Sequence, residues 1–168
     1  MSLTLVQVRP NTGSPLTLNT VDGSGNHLYP LSVFDINTNI DTHDFKKLAQ
    51  PGQWPSFHYP DAMTIHAEGK ILGVGASDAL RASNYIAQRL ALTDAVLPPV
   101  ALLTARKHGV LRVRADGMTE DADADIVVTD ISIPLAALYP AYSEFMITWK
   151  AFSPYFTGVS TQTLYQLG

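Results

Sequence analysis

The stretch from Met63 to Val96 constrains this chain more than any other. It opens with Met63, Ile65, Ala67, Gly69 and Ile71 alternating with Thr64, His66, Glu68 and Lys70. A period of two puts one set on a buried face of a strand and the other in water. A flexible GVGAS turn follows, and the residues after it carry helical spacing. Ser77 is suited to cap that helix, and Asp78 places negative charge beside the unpaired first-turn amides. Leu80, Ser83, Ile86, Ala87 and Leu90 share one face, which is expected to lie on the sheet. Asp78, Arg81, Asn84 and Gln88 lie largely opposite. Nine strand residues at ~3.3 Å each and twenty helical residues at ~1.5 Å each both span about 30 Å. One helix laid along one sheet fits those lengths.

Composition then limits what this unit can do. A chain of 168 residues is most simply one domain with a real core. Charged residues make up only 15% of it, which argues that other copies cover part of the surface. The net charge of −4 argues against a non-specific nucleic-acid binder or an anionic-membrane binder. The absence of cysteine excludes a disulfide framework, a thiolate zinc site and a cysteine nucleophile. No apolar run reaches transmembrane length, and MSLTLVQVRP lacks the layout of a signal peptide. A soluble, cytosolically made protein is the default.

The first third alternates strands and turns. Leu3 to Val8 is a strand that stops at Arg9-Pro10, and Leu16 to Val21 is a second. Asp22-Gly23-Ser24-Gly25-Asn26 is a strong turn, predicting a hairpin between the strands on either side, the later one being Leu28 to Ile36. From Asn37 to Pro60 the pattern breaks at Pro51, Gly52, Pro55 and Pro60, yet Phe45, Trp54, Phe57 and Tyr59 lie among them. Aromatics are poor material for a disordered linker. The segment reads as an extended arm or hairpin that docks, either on a neighbouring copy or on its own core.

Pro98-Pro99 stops the helix. Val100 to Ala105 reads as a strand or a short helical turn, and Val110 to Ala115 as an alternating strand that Asp116-Gly117 ends. An acidic turn, Thr119 to Asp125, leads into the β-branched run Ile126 to Ile133. Pro134 to Tyr142 connects to a strictly alternating strand, Glu144 to Ala151, with Phe145, Ile147, Trp149 and Ala151 on one face. After Ser153-Pro154 and a break at Gly158, Val159 to Tyr165 is expected to form the last strand.

Several constellations invite catalysis, and each falls short. Gly73 and Gly75 begin a phosphate-loop pattern, but Asp78 stands in place of its third glycine. Asp121, Asp123 and Asp125 imitate the opening of a calcium loop, but Ile126 and Ser132 occupy the positions that need glycine and glutamate. A solvated acidic turn is the better reading there. His66 and Glu68 share a wet face, while the other histidines have no ligand spacing. No nucleophile elbow exists. Neither an enzyme nor a cofactor is expected.

The order of the pieces resembles the distal tail proteins of long-tailed bacteriophages. Ile65 to Ile71 (IHAEGKI), Ala82 to Val96, Gly109 to Gly117 and Phe145 to Gly158 (FMITWKAFSPYFTG) carry the resemblance, which extends from about Leu3 to Gly158. It implies a mainly β fold with one long helix: a β-sandwich or barrel of the tail-tube type, flanked by that helix and by the arm. It further implies a homo-hexameric ring in the virion, between the tail tube protein and the tip or baseplate hub. The tape-measure protein and then DNA pass through such a ring, and no membrane is involved. Many relatives carry a further carbohydrate-binding domain. This chain stops ten residues after Gly158, so a direct role in gripping host sugars is not expected of it.

Within that reading, Trp54, Phe57, Tyr59, Tyr85 and Leu92 are the candidate subunit interface, the last two lying opposite Ile86 and Leu90 on the helix. The arm's two Asp and two Lys cancel. Glu68, Glu120, Asp121, Asp123 and Asp125 are candidates to line the opening, where six copies at −4 each carry −24. Three alternatives stay open. The chain could be the tail tube subunit, a carbohydrate-binding sandwich stacking sugars on Trp54, Phe57 and Tyr59, or a metal-dependent enzyme using His66, Glu68 and the Asp121 to Asp125 cluster.

Overall fold

A computed structural model of the protein describes residues 3–42, 45–46, 53–54, 58–97, 108–134 and 142–167. Its strands, in chain order, are β1 (Leu3–Pro10), β2 (Leu16–Leu18), β3 (Leu31–Thr42), β4 (Phe45–Lys46), β5 (Gln53–Trp54) and β6 (His58–Leu72). The helix α1 (Asp78–Val96) follows, then β7 (Gly109–Ala115), β8 (Ala122–Ser132), β9 (Tyr142–Ala151), β10 (Phe156–Gly158) and β11 (Leu164–Tyr165). Seven strands form one antiparallel path, β2-β1-β7-β8-β9-β6-β3. The short β10 pairs with β8 and β11 off this path, and β4 pairs with β5 separately.

The sheet is strongly curled. Helix α1 touches β1, β2 and β6, although β7, β8 and β9 lie between β1 and β6. Four strand spacings of ~4.8 Å make ~19 Å on a flat sheet, more than the ~10–12 Å diameter of a helix. The sheet therefore wraps the helix as a half-barrel, and one face becomes the core. Alternation decides which residues line it. Met63, Ile65, Ala67 and Ile71 from β6, and Phe145, Ile147, Trp149 and Ala151 from β9, are buried, as are Leu111 and Val113 from β7. Gly69 is needed in this layer because the Phe145 ring lies over it. A Cβ there would sit 2.7 Å from that ring and 2.5 Å from the Pro30 carbonyl oxygen.

The helix caps as its sequence indicates, with the Ser77 hydroxyl accepting from the Leu80 amide. Its rotation differs from expectation. Leu80, Ser83, Ile86, Ala87 and Leu90 are all exposed, while Tyr85, Leu92, Ala95 and Val96 are buried on the sheet. Apolar residues run along both sides of α1, so spacing alone did not choose between them. Polar ties fix the choice. The Tyr29 hydroxyl donates to the Gln88 carbonyl at 3.0 Å, and Arg89 donates to the carbonyls of Ile133 and Pro134 beyond β8. Satisfying these groups turns the Tyr85 and Leu92 side inward.

Two further expectations change. The Asp22–Asn26 turn does form, with Asp22 Oδ1 accepting from the amides of Ser24 and Asn26. It does not join a hairpin, however. The Val21–His27 bridge and an Asn19 amide donating to the Tyr29 carbonyl join its two sides, but no ladder of strands forms there: β2 pairs with β1, and β3 pairs with β6. At the C-terminus, β11 is confined to Leu164–Tyr165, and turns occupy most of the residues from Val159 onward that were expected to extend it. The Val100 to Ala105 segment lies outside the described residues.

Candidate assembly surfaces

The face of the sheet that points away from α1 is polar and built in rows. Asp35, His66, Thr148 and Asp130 lie side by side across β3, β6, β9 and β8. His66 sits between two partners, with Nε2 2.9 Å from Glu68 Oε1 and Nδ1 3.1 Å from the Thr148 hydroxyl. In the next row Glu68 lies beside Met146, and beyond it Lys70 lies beside Glu144. These residues border an open groove of about 290 Å³ with Ser32 and Ser132. Charges of both signs alternate across it. Among the described residues, no three His, Asp or Glu side chains are placed to hold a metal ion.

The acidic cluster is not a loose turn. Ala122, Asp123, Ala124 and Asp125 already belong to β8, with the alanines buried and the acids pointing outward. Asp123 takes a two-pronged hydrogen bond from Arg112 (2.7 and 2.8 Å), which raises the Arg112 pKa, chiefly through that bond. Asp121 lies 2.7 Å from Arg114 Nε. Asp125 is exposed. Glu120 is buried and faces the chain's own C-terminal turn. Its carboxylate accepts from the Thr161 hydroxyl and from the amides of Ser160 and Thr161. The Thr161 hydroxyl bond holds its pKa below the ordinary value, with the two amides adding to the shift against the opposing effect of burial. Glu120 is therefore committed to a local clip. Of the five acids singled out in the sequence, Glu68 and Asp125 are the most open.

The apolar surfaces lie elsewhere. Tyr85 and Leu92 are 2% and 0% exposed, so they form part of the chain's own core and leave the list of candidate interface residues. The exposed side of α1 takes their place, with Leu80, Ile86, Leu90 and Leu97 each 41% exposed or more. The signal for it was in the sequence, as the face first assigned to the core. Phe152, just after β9, and Leu164, on β11, are also exposed, each at 62%.

In its described residues the arm extends the sheet by two strands. Pairing between β3 and β6 runs from Leu31 and Gly69 to Thr42 and His58. Pairing between β6 and β9 stops at Met63 and Ala151. Beyond Met63, as far as His58, β3 and β6 therefore continue past β9, paired among the described residues with each other. The backbone of Trp54 pairs with Phe45, and that of Tyr59 with Asp41. Phe57 lies outside the described residues.

This architecture has known counterparts. No family description matches the chain, and no curated protein is similar to it in sequence. Among solved structures, the Dit protein of phage SPP1 aligns over 78% of this chain with a TM-score of 0.51 and 6% identity. That protein is described as a paradigm of the hub adsorption apparatus in phages that infect Gram-positive bacteria. The chain has the fold of a phage distal tail protein. It spans 47% of the length of the SPP1 protein. Looser alignments cover 98% of the chain on the sixfold-symmetric tail of an empty gene transfer agent particle and 93% on a native virion of such a particle. Their TM-scores are 0.43 and 0.42, with 11% and 13% identity. Among the described residues, no helix is long and apolar enough to cross a membrane.

Proposed function

We propose that this chain is a structural subunit of a phage-type tail, made in the host cytoplasm and built into the virion. Six copies close into a ring at the distal end of the tail, with the whole chain acting as one ring-forming domain. The ring joins the tail tube to the tip or baseplate hub, and the tape-measure protein and DNA pass through it. The observation that carries this reading is the distal-tail fold with an arm running past its own sheet. A two-stranded ribbon is at best marginally stable alone in water, so an arm of this kind gains most from a second surface to lie on. The polar sheet face supports the same reading, because it suits a water-filled opening. Among the described residues, its Arg112–Asp123 pair and alternating charges form no basic stripe to grip phosphates.

Electron microscopy and mass measurement of the purified chain test the proposal. Six-membered rings, formed alone or with tail partners, are the expected result. A strict monomer at every concentration, with and without those partners, overturns it. Long tubes instead of rings make the chain a tube subunit, and glycan binding by an isolated monomer moves it to the carbohydrate-binding class. Tight DNA binding at physiological salt speaks against a passage role.

A further inference from the structure

We propose that the groove between the β1–β2 connection and the last turn of α1 is a seat for an arginine side chain of a partner protein other than this chain. The groove has a volume of about 300 Å³, and its lining includes Pro10, Ser14, Pro15, Leu16, Ala91 and Asp94. Small-ligand sites begin at about that size, so it has room for one side chain rather than a folded segment. Its walls are mostly apolar and are set by the backbone. Pro10 and Pro15 have fixed φ angles, and Gly13 turns the chain between them at a φ of 114°. A site shaped in advance loses little freedom when a ligand enters it.

The end of the helix sets the sign of the charge that fits. Asp94 is exposed in the last turn of α1, and that turn holds no basic residue. A carboxylate there adds to the negative end of the helix dipole, where a cation is the favoured neighbour. The backbone deepens the deficit. Leu97 donates to the Thr93 carbonyl, but Pro98 and Pro99 have no N–H to offer the carbonyls of Asp94 and Ala95. Both of these residues line the groove. Among the described residues, no cation lies within ion-pair distance of Asp94. The chain breaks a local rule of helix ends with no internal group to offset it, which is the mark of a functional position.

Arginine matches both halves of the groove. Its stem can lie on the proline, leucine and alanine walls, and its flat head is more weakly hydrated than an ammonium. A carboxylate takes two of its five donors side by side and leaves others for the helix carbonyls. A second copy is poorly supplied with such a group. Arg112 and Arg114 are held by Asp123 and Asp121, Arg81 by Asp78 and the Gly75 carbonyl, and Arg89 by the carbonyls of Ile133 and Pro134. The cation therefore comes from a different protein.

The test reads the single full-length chain, so it is independent of ring closure. N-acetyl-arginine amide is titrated into the isotope-labelled protein and followed by NMR. Binding in the millimolar range is expected, with the largest shifts at Leu16, Ala91, Asp94 and Ala95. N-acetyl-citrulline amide, which keeps the shape and lacks the charge, is expected to bind about tenfold more weakly or worse. Asp94→Asn is expected to weaken the arginine compound by about tenfold, with a melting temperature equal to the wild type or higher, since the dipole is relieved. Ala91→Lys supplies a cation one turn from Asp94 in the same chain and is expected to exclude the compound. Equal binding of the two compounds, or binding that Asp94→Asn leaves unchanged, overturns the seat. Self-association of the wild type that Asp94→Asn abolishes gives the groove to a second copy and overturns the foreign partner.

Discussion

Tyr85 and Leu90 stand five residues apart on one helix and meet opposite surroundings. Tyr85 is 2% exposed against the curled sheet, and Leu90 is 57% exposed on the other side. Both sides are apolar, and only one is used by the chain itself. An apolar residue on a helix thus reports that something covers it, without saying whether the cover belongs to the same molecule.

The largest test of that comparison sets Leu92 against Leu90. Leu92 is fully buried, so Leu92→Asp places an unpaired charge in the core and is expected to cost about 4 kcal/mol or more. Insoluble protein, or loss of a cooperative urea transition, is the readout. Leu90→Asp is expected to stay soluble, with stability changed by less than about 0.5 kcal/mol, and to fail in assembly. The reverse outcome would mean that the helix is rotated the other way.

Strand β9 offers the same contrast with a smaller effect. Trp149 is 0% exposed on the inner face, and Met146 lies 36% exposed on the outer. Trp149→Ala is expected to lose about 3–5 kcal/mol in chemical denaturation. Met146→Ala is expected to lose less than about 1 kcal/mol. Equal losses would mean that the outer face is covered as thoroughly as the inner one.

These contrasts explain what the sequence made legible. Strands β6, β7 and β9 were readable because each has one buried face, and a period of two then fixes every side chain. The helix was readable in place and length but not in rotation, since two apolar stripes compete. The start of β8 was hidden because its inward residues, Ala122 and Ala124, are weak apolar markers among acids. β2 turns back onto β1, which precedes it, and β3 pairs with β6 farther along the chain; a local turn signal at Asp22–Asn26 specifies neither partner. The role of Glu120 was invisible for the same reason, because the groups it holds lie 40 and 41 residues away.

Tyr29 gives a subtler test of the inner face. Its hydroxyl donates to the Gln88 carbonyl, and burial pushes its pKa up to about 12. An unfolded tyrosine titrates near ~10, so the folded state keeps the proton over the window between these values. The associated stability is fully present below pH ~10 and falls as the pH rises through the folded value. Tyr29→Phe is expected to cost about 1 kcal/mol at neutral pH and to flatten the alkaline limb of the stability curve. An unchanged limb would show that another group sets it.

The smallest expected effect belongs to Glu120, at the edge of the body rather than in its core. Its carboxylate holds Thr161 through both hydroxyl and amide, and Ser160 through its amide. Gly158 leaves no room for a side chain beside that carboxylate. Because the folded pKa is lowered, the clip contributes fully above the unfolded carboxylate range near ~4.3. It is lost as the pH falls through the lower folded value. Replacing Glu120→Gln removes the charge at every pH, so its effect should be present at neutral pH and should vanish in strong acid. The expected readout is local: amide exchange speeds up at Ser160 and Thr161, while the exchange of core amides in β6 and β9 stays as in the wild type. Faster exchange throughout the sheet would instead make this clip part of the cooperative core, and the division between a tightly held body and a lightly held edge would not stand.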